Sequence, residues 1–221
     1  MRHQCMIYRG SPAEHLRGLA QLIVEKLEAK NRCLYLNSPS MVAGVRSYLA
    51  AAGLDVAQQV SKGSLVLSSA TDHLLNGHFD VERMLEMLSI AVEGALSDGY
   101  QGLWATGDMT WEFGGQENFD KLLAYECGLE VLFRSQPALS GICQYHQDTL
   151  PEDSVHVALS KHRAVFVNET LSRVNPFYSR TEQTFPQRLS PPTTNKMLAQ
   201  PHVPRRATRK NASFQALHVD Q

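Results

Sequence analysis

Residues 103–111 read Leu-Trp-Ala-Thr-Gly-Asp-Met-Thr-Trp. An apolar run that ends in Gly107-Asp108 has the pattern of a buried parallel strand presenting a polar group where it leaves the sheet. Ligands of open α/β sheets sit in the crevice outside the carboxyl ends of such strands. Asp108 can orient a polar group there, and Trp111 offers a stacking surface. The same letters also suit a plain turn with an indole lid on the core, since Asp and Gly commonly punctuate loops. Tyr8-Arg9 and Tyr145-His146 follow two other strand candidates. The candidate pocket therefore draws on Tyr8, Arg9, Asp108, Trp111, Tyr145 and His146. As a solvent-facing loop residue, Asp108 is expected to tolerate Asn with little loss of stability.

A second constellation concerns metals. His3 and Cys5 alternate along one strand and share a face. Imidazole and thiolate suit zinc, copper or iron, and Cys143 and His146 stand at another strand end. The ligands are scattered, without motif spacing, and buried free cysteines usually act as small hydrophobes. The expectation is no metal, with His3, Cys5 and Cys143 as weak candidates. Glu126 falls in the apolar stripe of its helix; if buried, it must be hydrogen-bonded or neutralised. At the stripe's edge it would reach water instead.

A phosphate-binding loop needs several glycines after the first strand, with a Lys and a Ser/Thr for phosphate and Mg²⁺. Here that position reads Tyr8-Arg9-Gly10-Ser11-Pro12-Ala13-Glu14-His15, with one glycine, a carboxyl group and no lysine. Nucleotide hydrolysis is therefore not expected, and no cofactor is expected. There is no GxGxxG after a strand, no GxSxG elbow and no HExxH.

These residues need a scaffold, and the periodicity supplies one. Strands are expected at residues 5–8, 33–36, 64–67, 103–106, 142–145 and 164–167. Between them run helical stripes. Ser11-Pro12-x-Glu14 reads as a capping box opening the first helix. Ser38-Pro39 repeats that start, with Gly53 as its C-terminal glycine. Asp80 is the expected cap of the helix through Met84, Leu88 and Val92, and Thr110–Gly115 a polar loop. A helix follows from Glu117 or Asn118, and another from Pro151. Alternating strands and helices give an α/β fold with a mainly parallel sheet and helices on both faces.

The chain of 221 residues is 43% hydrophobic and 19% charged with a net charge of −1, which suits a globular protein without a basic field for nucleic acid. No apolar run reaches membrane-spanning length. The beginning lacks the marks of a signal peptide, and four scattered cysteines do not form a disulfide framework, so a reducing cytoplasm is expected. Six of the ten prolines fall within 176–204, in an aperiodic stretch followed by a basic cluster at 205–210. Residues 179–221 are therefore expected to be a disordered tail, apart from the 1–178 domain.

Taken in order, several stretches resemble the MEDS family, the methanogen/methylotroph dichloromethane-regulator-type sensory domain. They are His3-x-Cys5 with Tyr8, Gly63-Ser64-Leu65, Gly77-His78-Phe79-Asp80, Gly107-Asp108-Met109-Thr110-Trp111, Tyr125-Glu126, Cys143-Gln144-Tyr145 and Asn175-Pro176-Phe177-Tyr178. The chain departs from the family's His-Pro at Lys161-His162-Arg163. The resemblance implies a RecA/KaiC-like three-layer sandwich that has lost its phosphate loop. It places the 142–145 strand between the first strand and the one ending at Asp108, with Cys5, Thr106 and Cys143 as neighbours. It also implies a non-catalytic sensory role: binding a small organic ligand through Tyr8, Arg9, Asp108, Trp111, Glu126, Tyr145 and His146. The expected partner is a kinase or transcription regulator. The alternatives are a residual nucleotide-binding protein and a ligand-free interaction module.

Overall fold

A computed structural model describes residues 2–11, 13–113, 116–167, 171–175 and 178. Pro12, the 114–115 end of the expected polar loop and the 179–221 tail lie outside the described residues. The chain runs β1 (His3–Tyr8), α1 (Leu16–Glu28), β2 (Arg32–Leu36), α2 (Pro39–Ala51), α3 (Val56–Ser61) and β3 (Leu65–Ser68). It continues with β4 (Leu74–Leu75), β5 (His78–Phe79), α4 (Val81–Ser97), β6 (Leu103–Asp108) and α5 (Met109–Glu112). A 3₁₀ turn (Gln116–Lys121) leads to α6 (Leu122–Ser135), β7 (Leu139–His146), α7 (Glu152–Lys161), β8 (Ala164–Val167) and β9 (Leu171–Val174).

The main sheet has the order β3-β2-β6-β7-β1-β8-β9. Its first six strands are mutually parallel, and β9 adds to the edge antiparallel to β8. β7 lies between β6 and β1, with Cys5 opposite Cys143 and Thr106 opposite Ile142. The strands are buried on both faces, so two cores form. Met6, Tyr35, Trp104 and Ile142 pack under α1, α2 and α3. Cys5, Leu103, Cys143 and Tyr145 pack under α4, α5, α6 and α7. Fully buried side chains such as Leu19, Ile23, Leu49 and Leu103 each contribute roughly 1.5–3 kcal/mol of hydrophobic stabilisation. This is the α/β three-layer arrangement expected.

Local starts and stops explain most element boundaries. Asp80 caps α4 by accepting the Arg83 N–H at 2.8 Å. Gly53, at φ +87°, ends α2 in the left-handed conformation. The Ser11 capping box does not form as expected. The Ser11 hydroxyl accepts the Ala13 N–H, and α1 begins only at Leu16. The intervening turn carries His15 inward onto Gln144, and Leu16 is buried in the core. Three features were not legible from hydrophobic period: α3, the edge strand β9 and the β4–β5 hairpin. The hairpin turns on Asn76-Gly77, both at positive φ, the chemistry of a type I′ turn. Part of the expected polar loop is helical, since α5 follows β6 directly.

Candidate functional site

Side chains alternate across a strand, so the sheet sorts the polar residues onto two faces. On the α1 face, at the carboxyl ends of β1, β6 and β7, lie Tyr8, Asp108, Gln144 and His146. The Tyr8 hydroxyl donates to Asp108 Oδ2 at 2.5 Å. Asp108 Oδ1 accepts the Thr110 N–H at 2.8 Å and so caps α5. The Tyr8 ring lies 4.0 Å from the His15 ring and 4.8 Å from the His146 ring. His15 Nε2 is 2.9 Å from Gln144 Oε1, and Gln144 Nε2 donates to Thr106 Oγ1. His146 spans Gly10 O and Thr149 Oγ1, each at 2.9 Å. Burial, then Asp108, pushes the Tyr8 phenol well up, which keeps it a donor. Asp108 is only 4% exposed, so the expectation of a solvent-facing loop residue is corrected: it is a buried cap and acceptor.

The loop after β1 is committed to carboxyl groups. The Gly10 N–H donates to Asp148 Oδ2 at 2.8 Å, and Glu14 lies against Gly10. Arg9 is exposed and donates to Gln147.

The other expected pocket residues are not gathered here. Tyr145, the neighbour of His146, points to the opposite face, where its hydroxyl donates to Glu126 Oε1. Trp111 is half-buried on α5, 5.6 Å from the His73 ring, and packs on the α4/α6 core. Asp108, Trp111 and Tyr145 therefore do not converge on one crevice at the sheet edge. Two adjacent residues of a strand cannot line the same face, and that alternation is where the single-pocket expectation fails.

On the α4/α6 face a cavity of about 30 Å³ runs along β6 and β7. Most of its lining is apolar, including Leu88, Met84, Met109 and Phe133; its polar members are Thr106, Glu112, Tyr125 and Cys143. Glu112 is 1% exposed, and its Oε2 has no hydrogen-bond partner. Burial first, then the Asp108 and Glu126 charges, push the Glu112 carboxyl well above its ordinary range, so it is held neutral. It lies over Gly107, where a Cβ would overlap it; only glycine lets the carboxyl approach the strand so closely. Residue composition did not single out Glu112; its position one turn after Asp108 is the signal that could have found it.

Deeper on that face His3, Glu126, Cys143 and His162 bring one ligand atom each within 4.8 Å of one another. His3 and Cys143 were weak metal candidates in the sequence; Glu126 and His162 were not, and His146 is excluded by its face. Cys5 lies beside Cys143 in register, fully buried.

Residues 2–163 match the family described as MEDS, the methanogen/methylotroph DcmR sensory domain. Among solved structures, the chain is similar to the crystal structure of a KaiC-like protein from the hyperthermophilic archaeon Pyrococcus horikoshii OT3. The TM-score is 0.53 at 12% identity, over 74% of this chain and 69% of that one. At that identity the likeness speaks to the fold. No curated protein matches the chain at a significant level.

Proposed function

Because this chain belongs to the MEDS family of sensory domains, we propose that it is a non-catalytic sensor. It takes a small organic molecule into the cavity along β6 and β7 and relays its presence to a kinase or transcription regulator. The observation that carries this reading is the cavity with the buried Glu112 carboxyl, whose Oε2 has no hydrogen-bond partner. A volume of this order holds roughly one or two waters, or a one- or two-carbon molecule. The neutral carboxyl supplies an O–H donor in an otherwise apolar lining.

The sheet-edge residues then act in relay. α5 contributes Met109 and Glu112 to the cavity, and its cap, Asp108, holds Tyr8. Tyr8 stacks on His146, which holds the loop at Gly10. A ligand that contacts α5 differently in two positions can bias their populations by that difference in affinity. The sensory domain is taken as residues 1–178, with 179–221 as a tail. Among the described residues no helix is long and apolar enough to cross a membrane.

The loop after β1 supports a non-catalytic role: Glu14 and Asp148 stand where a phosphate loop offers free N–H groups. The test is thermal unfolding of the purified protein with a panel of one- and two-carbon halides, alcohols and thiols, beside ATP–Mg²⁺. Saturable stabilisation by a panel member, lost in Glu112→Leu, which removes the polar donor, supports the sensor. Stabilisation by ATP–Mg²⁺ alone would favour a residual nucleotide-binding protein.

A further inference from the structure

We infer that His3, Glu126, Cys143 and His162 form a buried site for a divalent first-row transition-metal ion, with zinc as the ion their chemistry fits best. A metal ion there does not require the cavity along β6 and β7 to bind anything.

Glu126 Oε2 lies 3.5 Å from His3 Nε2 and 3.4 Å from His162 Nε2. Cys143 Sγ lies 3.6 Å from His3 Nε2. Charge-assisted N–H···O bonds are shorter, about 2.7–2.9 Å. Ligands of one tetrahedral zinc, with Zn–N and Zn–O near 2.0–2.2 Å and Zn–S near 2.3 Å, sit about 3.3–3.6 Å apart. The two imidazole–carboxylate spacings are long for hydrogen bonding, and these three of the six pairs suit a shared ion; all four ligand atoms lie within 4.8 Å of one another.

His162 Nε2 and Glu126 Oε2 are buried, face each other and have no hydrogen-bond partner. Both residues have no exposed surface. His162 Nδ1 donates to Ala158 O at 2.8 Å. Its Nε2 is left facing a buried carboxyl oxygen that also lacks a hydrogen-bond partner, an arrangement that a cation would reconcile.

Histidines that hold metals give their other ring nitrogen to a carboxylate or a carbonyl, which fixes the tautomer and the ring. His162 does so with Ala158 O, and His3 Nδ1 lies 3.3 Å from Glu130 Oε2. The Tyr145 hydroxyl donates to the second oxygen of Glu126, and Asn175 Nδ2 donates to the His162 carbonyl. A thiolate and a carboxylate balance a divalent charge, and two imidazoles, one thiolate and one carboxylate make a normal zinc donor set.

The test uses the full chain, purified without chelator, with metal counted by elemental mass spectrometry. About one zinc per chain is expected. Chelated protein reloaded with Co(II) should show the visible absorption of a tetrahedral site and a near-ultraviolet thiolate charge-transfer band. Cys143→Ser, nearly isosteric, should lose that band, and Cys127→Ser should keep it. Glu126→Gln should weaken Co(II) binding at least tenfold, on the order of what lost metal contacts cost. Folded wild type with no metal after purification and no tetrahedral Co(II) spectrum would overturn the site. So would a charge-transfer band that survives Cys143→Ser. If Cys143→Ser does not fold, the wild-type spectrum and the Glu126→Gln titration decide the question.

Discussion

Removing the Tyr8 hydroxyl isolates the bond that ties β1 to the β6–α5 junction. Tyr8→Phe keeps the ring and its contacts with His15 and His146, and removes only the donor to Asp108 Oδ2. Asp108 is 4% exposed, so water does not replace the lost partner freely. Leaving a buried acceptor unsatisfied costs about 1–3 kcal/mol. At roughly 2–4 °C per kcal/mol for a domain of this size, the midpoint should fall by about 2–12 °C. Asp108→Ala removes the same bond and the α5 cap, adding about 0.5–2 kcal/mol. The double variant should be less destabilised than the sum of the two, because the Tyr8–Asp108 bond is then counted once. Differential scanning calorimetry on the four proteins reads these values. A Tyr8→Phe midpoint within about 1 °C of wild type would refute the reasoning, as would strict additivity of the pair.

Three further outcomes follow from the same geometry. No ATP hydrolysis is expected, and turnover above a buffer blank that vanishes in Asp108→Ala would contradict this. Folding holds Glu112 protonated, with its pKa raised above the ordinary 4.5, so its contribution is intact below that pH and is lost as pH rises toward the folded value. Wild type should therefore lose stability relative to Glu112→Gln as pH climbs from 4.5, and parallel denaturation curves across pH would contradict the burial argument. A chain ending at Tyr178 should keep its cooperative melt, because Asn175 already closes on His162 and Tyr178 reaches Arg163; loss of cooperativity would show that the tail is part of the fold.

Strand and helix order was legible because buried parallel strands and capped helices announce themselves in composition and spacing. The 142–145 strand does lie between the first strand and Asp108's strand, and Asp80 and Gly53 do bound their helices. The site was harder to read for two physical reasons. Parallel sheets join residues across long crossovers, so His3, Glu126, Cys143 and His162 carry no local spacing that could mark them. Burial also decides what a polar residue does. Asp108 and Glu112 lie four residues apart, yet one is a bonded cap and the other a buried carboxyl whose Oε2 has no partner. The separation of Tyr145 from His146 was readable from strand alternation alone.

The proposed sensory role requires the cavity beneath α5 to receive a small organic ligand. Methionine-methyl NMR tests it most directly, because Met84 and Met109 line the cavity while Met6 and Met41 belong to the core on the other face of the sheet. Titration with members of the one- and two-carbon panel should move the Met84 and Met109 methyl resonances saturably and leave Met6 and Met41 in place. The same shifts should be lost in Glu112→Leu, which removes the polar donor. No saturable shift at Met84 and Met109 with any panel member, or equal shifts at all four methyls, would contradict the account.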